Sequence, residues 1–150
     1  MSKTLIDAAL SARLKAYAPY SRFLVGAALR CDGVIYSGCN VENAAYPQGS
    51  CAEAGAIAAM VLGGGRHIDE IVIVGSGDAP CTPCGGCRQR LREFGAPDLP
   101  VRIVNGEGAI LLETTLEALL PWSFGPDHLT PVTGDMTGDS PTGENAESAA

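Results

Sequence analysis

The chain reads as an α/β protein: a three-layer α/β/α sandwich around a mixed sheet of about five strands, opened by an antiparallel hairpin. Three observations carry that reading. Asp32-Gly33 separates two β-prone runs, and this dipeptide favours a two-residue hairpin turn. Ile71-Val72-Ile73-Val74 is apolar without alternation, as expected of a strand covered on both faces. Helical patterns are interleaved with the strands, which calls for helices layered on a sheet.

The elements follow in order. Leu5, Ile6, Ala9, Leu10, Leu14 and Tyr17 recur at helical spacing, with Thr4 as the expected cap and Pro19 as the stop. Residues 23–30 and 34–40 form the two arms of the hairpin. Residues 52–62 are Ala-rich and helical, and Gly63-Gly64-Gly65 ends them. A strand is expected over 68–75, a helix over 84–94 with Gly95 as its terminator, and strands over 101–104 and 109–113. Thr114 and Glu117 have capping-box spacing for a brief helix ending at Pro121.

With 150 residues and 46% hydrophobic content, the chain can bury a single core without staples. The net charge of −7 is uneven: Asp127, Asp135, Asp139, Glu144 and Glu147 fall in the last 24 residues without a Lys or Arg, leaving residues 1–126 at −2. The expected division is a catalytic domain over 1–126 and a disordered acidic tail over 127–150. No basic stripe suits nucleic acid, and no apolar run suits a membrane span. The start of the chain does not resemble a signal peptide, so a cytoplasmic location is expected. In that compartment the six cysteines point to metal or catalysis more than to disulfides.

Cys51-Ala52-Glu53 and Pro83-Cys84-Gly85-Gly86-Cys87 carry the chemistry. Three thiols can hold one zinc ion and leave its fourth position open, which separates catalytic from structural zinc sites. Each stretch precedes an expected helix, whose N-terminus favours thiolate. Cys51 and Glu53 can converge only where their helix begins, so the pocket belongs above that end. Cys-x-x-Cys by itself also fits a redox pair or a structural zinc knuckle. Cys81-Thr82-Pro83-Cys84 repeats the spacing, so the ligand pair is not unique on spacing alone. Cys31, Cys39 and Cys81 read as buried or half-buried thiols.

Taken jointly, the two cysteine stretches resemble those of the zinc-dependent cytidine deaminases. The similarity extends to residues 19–28 (Pro-Tyr-Ser-Arg-Phe-Leu-Val-Gly-Ala-Ala), 38–43 (Gly-Cys-Asn-Val-Glu-Asn) and 119–124 (Leu-Leu-Pro-Trp-Ser-Phe). It implies one zinc per subunit on Cys51, Cys84 and Cys87, with Glu53 as proton shuttle. By the same resemblance Asn40 and Glu42 would bind the ribose 3′-hydroxyl and Phe23 would pack against the pyrimidine. Phe124 would cover the base of a neighbouring subunit's site in a homotetramer. The implied reaction is hydrolytic deamination of cytidine and 2′-deoxycytidine to uridine and 2′-deoxyuridine, with release of ammonia, as in pyrimidine salvage. Many relatives carry Arg directly after the Glu, where it can offset thiolate charge; here Ala54 stands there. Helix dipoles and local N–H groups are expected to take its place. Two rivals remain at this level: a non-enzymatic zinc or redox module, with Cys81 as a fourth ligand, and a deaminase of another aminopyrimidine compound.

Overall fold

The computed structural model describes residues 2–129. The hairpin forms as its turn residues dictate. Strand β1 (Gly26–Cys31) pairs antiparallel with β2 (Val34–Cys39), and the turn residues Asp32 and Gly33 both have positive φ, 49° and 79°. That backbone matches the right-handed twist of the strands, and Gly meets it without strain. β1 also pairs antiparallel with β3 (Glu70–Val74), β3 pairs parallel with β4 (Pro100–Val104), and β4 pairs antiparallel with β5 (Ile110–Thr115). The strand order is β2-β1-β3-β4-β5, an open mixed sheet of five strands.

Helices cover both faces. Alternation along the central strands sends Ala28, Val72, Val74 and Val104 to one side, where Leu5 and Ala9 of α1 (Ser2–Arg13) meet them. Ala27, Leu29, Ile71, Ile73, Val101 and Ile103 point to the other side. There they pack with Ala52, Ala56 and Met60 of α2 (Ala52–Leu62) and Leu91 of α3 (Gly85–Phe94). The three-layer sandwich is therefore as the sequence predicts. Among the described residues no helix is long and apolar enough to cross a membrane.

Three local expectations change. α1 starts at Ser2, so Thr4 lies inside it, and it stops at Arg13, well before Pro19. Leu14 and Tyr17 are 78% and 56% exposed, because the chain leaves the helix to bridge Tyr17 to Val41. Residues 23–25 do not join β1. The last helix, α4 (Leu116–Leu119), is capped by Thr115, whose Oγ1 accepts from Ala118 N at 3.3 Å, and Thr114 remains in β5. The expected tail lies almost wholly outside the described residues.

One close approach places the functional end of α2. A Cβ on Gly38 of β2 would sit 2.3 Å from Ala56 N and 2.4 Å from Ala52 O. Only glycine lets the helix lie this near the strand.

Candidate metal centre and active site

The heads of α2 and α3 meet over the sheet, and a cysteine caps each. Cys51 is the N-cap of α2 and Cys84 that of α3, with Cys87 in the first turn of α3. The Sγ atoms of Cys51 and Cys84 are 3.8 Å apart, and all three sulfurs lie within 4.8 Å of one another. Two thiolates on one tetrahedral zinc, each at about 2.3 Å, are separated by about 3.8 Å. The donor set and its spacing therefore fit the ion.

Glu53 is 4% exposed, and its Oε2 lies 3.4 Å from Cys87 Sγ, which donates to it. Two residues on from the N-cap, in the first turn, it converges with Cys51 as the spacing required. Cys51, Glu53 and Cys84 all line one cavity of about 430 Å³. Cys81 lines this cavity but lies outside the three-sulfur group. The site thus opens on a ligand-sized space and is not closed by a fourth cysteine.

The thiols differ in their electrostatics. The Cys87 backbone N–H at the head of α3 holds the Cys84 thiol below its ordinary value, although Cys84 makes no full side-chain cap. Burial pushes Cys51 and Cys87 up, and the charge of Glu53 adds to both. Cys81 is pushed up by burial, then by Glu53 and Cys51. A divalent cation would relieve this crowding of negative groups. Arg88 does not reach the sulfurs. Its Nε donates to Pro83 O and its Nη1 to Leu119 O, both at 2.7 Å, so it fastens the turn before Cys84 to the C-terminal segment.

Asn40 and Glu42 line the same cavity. Asn40 Oδ1 accepts from Val25 N and its Nδ2 donates to Phe23 O, both at 2.8 Å, so this side chain fixes residues 23–25 beside the cavity. Glu42 Oε1 accepts from Tyr20 N at 3.0 Å and Ser21 N at 3.1 Å. Desolvation opposes its ionisation, but hydrogen bonds from Ser21 and Tyr20 outweigh it and hold the carboxyl below its ordinary value. Each keeps bonding capacity for a ligand, since a carboxylate has about four acceptor sites and an amide two donors.

Phe23 and Phe124 are not among the residues lining the cavity of a single chain. Phe23 lies over Gly75 near Cys81, and Phe124 is 57% exposed and stacked on His128 at 5.2 Å. The aromatic residues that do line it are Tyr20 and Tyr46, an edge-to-face pair with centroids 6.4 Å apart. Sequence reasoning missed both tyrosines and the place of Cys81. Tyr20 lay within a quoted motif, whereas Tyr46 sits in an irregular stretch with no periodic signal.

A single-ion site with an open side and a buried carboxylate on an α/β/α sandwich defines a metal-dependent hydrolytic class. Comparison with known proteins sharpens this. The family model "Cytidine and deoxycytidylate deaminase zinc-binding region" matches residues 1–103, and the chain belongs to that family. A cytidine deaminase of Sporosarcina psychrophila is 44% identical over 127 residues, covering 84% of this chain and 93% of that protein. One from Mycobacterium tuberculosis H37Rv is 40% identical, covering 81% and 87%. The crystal structure of cytidine deaminase from Burkholderia pseudomallei superposes with a TM-score of 0.77 at 45% identity, covering 83% and 99%.

Proposed function

We propose that this chain hydrolyses the exocyclic C4–N bond of cytidine and 2′-deoxycytidine, giving uridine or 2′-deoxyuridine and ammonia. The carrying observation is the buried Glu53 carboxylate beside three convergent thiols, with Glu53, Cys51 and Cys84 on the wall of one cavity. Cys51, Cys84 and Cys87 would hold one zinc per subunit. Bound zinc would supply the Lewis acidity that lets water give up a proton near neutral pH.

Glu53 then has two tasks. It takes a proton from water and passes it to N3 of the pyrimidine as oxygen bonds to C4. It next carries the second water proton to the amino group, the C4–N bond breaks, and ammonia leaves. Burial keeps bulk water from competing for these protons. Asn40 and Glu42 would take the ribose 3′-hydroxyl, leaving the 2′-position unaddressed, which supports both nucleosides as substrates.

Phe23 would pack against the base once the site is complete. Exposure of Phe124 supports a role in a neighbouring subunit's site, and with it a homotetramer. Sedimentation at four chains per particle is the expected result. A cytoplasmic location belongs to the same proposal, because three zinc thiolates need a reducing compartment. The place of Cys81 outside the sulfur group disfavours a closed structural zinc knuckle.

Glu53→Gln tests the mechanism. Zinc content should match that of the unaltered chain while uridine formation falls by about 10²–10⁴-fold, the range typical of lost general acid–base catalysis. Near-normal turnover by the zinc-loaded variant would refute the role. Assaying ammonia from cytidine, deoxycytidine, free cytosine and an aminopyrimidine antibiotic separates the proposal from its nearest rival.

A further inference from the structure

A second group of metal-ligating side chains lies beyond the opposite end of α2. A Cβ on Gly65, three residues past that helix, would sit 2.9 Å from Cys31 Sγ, so the chain leaving α2 closes over this thiol. Cys31 is 2% exposed, at the end of β1. Its sulfur faces His67 Nδ1 at 4.0 Å and Asp32 Oδ2 at 3.8 Å. The ligand-type atoms of Cys31, Asp32 and His67 all fall within 4.8 Å of one another.

We propose that Cys31, Asp32 and His67 form a second site for a divalent cation of the zinc class, with Asp69 orienting the imidazole. The donor chemistry selects the ion: thiolate and imidazole favour zinc and cobalt over magnesium and calcium, which take oxygen ligands. Zinc–sulfur and zinc–nitrogen bonds of about 2.3 and 2.0 Å imply S···N separations of about 3.5 Å in a tetrahedron. The observed 4.0 Å is within reach of a small side-chain rotation. One thiolate and one carboxylate cancel the charge of a divalent ion, whereas the three thiolates at the head of α2 exceed it.

The surroundings suit this role. His67 Nε2 lies 3.3 Å from Asp69 Oδ1 and 3.2 Å from Asp32 Oδ1, leaving Nδ1 turned toward the thiol. A ligating histidine characteristically donates its other N–H to a carboxylate. Asp69 Oδ2 also accepts from Asp32 N at 3.0 Å, so one carboxylate holds both the hairpin turn and the imidazole. The backbone under them is pinned: Asp69 N donates to Arg30 O at 2.8 Å and Ile68 N to Phe94 O at 2.9 Å. His67 and Asp32 have side chains 51% and 78% exposed, which gives the ion an entry path and a solvent-facing fourth position.

The competing reading is a histidine merely bridging two aspartates, and metal counting separates the two. The zinc-loaded protein is dialysed against Co²⁺, and metal per chain is measured by mass spectrometry for the unaltered chain and His67→Gln. The altered side chain is half exposed, so the variant should fold. One additional equivalent in the unaltered chain, absent from His67→Gln at unchanged deaminase turnover, is the expected result. A thiolate-to-cobalt absorption band present in the unaltered chain and missing from Cys31→Ser is expected alongside. Equal metal content in the unaltered chain and His67→Gln overturns the proposal, as does a further equivalent without the band.

Discussion

The two ends of α2 place cysteine in different settings. At its head, Cys51 joins Cys84 and Cys87 from another helix, facing a cavity of about 430 Å³. Past its tail, Cys31 sits under the hairpin turn with His67 and two aspartates. An 11-residue helix separates them by about 16 Å. The head has backbone N–H groups and a partial positive charge to offer, so an excess of thiolate is tolerable there. The tail end lacks that support and has imidazole and carboxylate in place of further sulfur.

The glycines at each end break or sharpen the contrast. Gly38→Ala would set a Cβ against the backbone of α2 at 2.3–2.4 Å, and backbone cannot yield without moving the helix. Overpacking of this kind costs about 1–3 kcal/mol. Because Cys51 and Glu53 ride on that helix, turnover should fall by about 10²-fold, as for a reacting group misplaced by about 1 Å. Gly65→Ala meets Met60 Cγ at 2.6 Å and Cys31 Sγ at 2.9 Å, a clash past the far end of α2 from Cys51 and Glu53. Its kcat should stay near that of the unaltered chain. Denaturant unfolding and kcat for both variants check the pair, and equal loss from the two would end the distinction.

A smaller effect is expected from Arg88→Ala. The residue fastens Pro83 O and Leu119 O and touches no sulfur, so its loss loosens the turn that presents Cys84. Outer partners of metal ligands are worth about 10–100-fold in metal affinity. Competition with a chromophoric chelator should show zinc held more weakly in that range. Unchanged affinity would leave the thiolate excess to the helix heads alone.

Much of this was legible beforehand because its causes are local. Asp32-Gly33 fixed the hairpin turn, the Ala-rich run with its three glycines marked α2, and the two cysteine stretches announced the metal. What escaped depended on distant partners. Tyr17 leaves α1 to bridge Val41, a pairing without a periodic signature. Arg88 lies beside Cys87 in sequence, yet its donors are drawn to carbonyls at Pro83 and Leu119. Cys31 and His67 are 36 residues apart and meet only once β1 and β3 pair, so no spacing rule could join them.

The smallest effect expected concerns an ion-pair ladder near the tail end of α2. Glu70 on β3 accepts from Arg30 Nε at 2.8 Å and Arg102 Nη1 at 2.6 Å, and Arg102 Nε also donates to Glu113 at 2.7 Å. Burial opposes ionisation of Glu70, but the two guanidinium groups outweigh it and hold the carboxyl below its ordinary value. A depressed folded-state pKa contributes stability that is fully present above the unfolded value, about 4.3, and is lost as pH falls through the folded one. Partial exposure and salt screening limit the contribution to about 1 kcal/mol. Glu70→Gln should therefore lower stability at pH 7 by about that amount and lose less than the unaltered chain on going to pH 4. Zinc release on acidification is common to both proteins and cancels in the comparison of their denaturant midpoints. Turnover at neutral pH should not change, because the ladder shares no residue with the cavity.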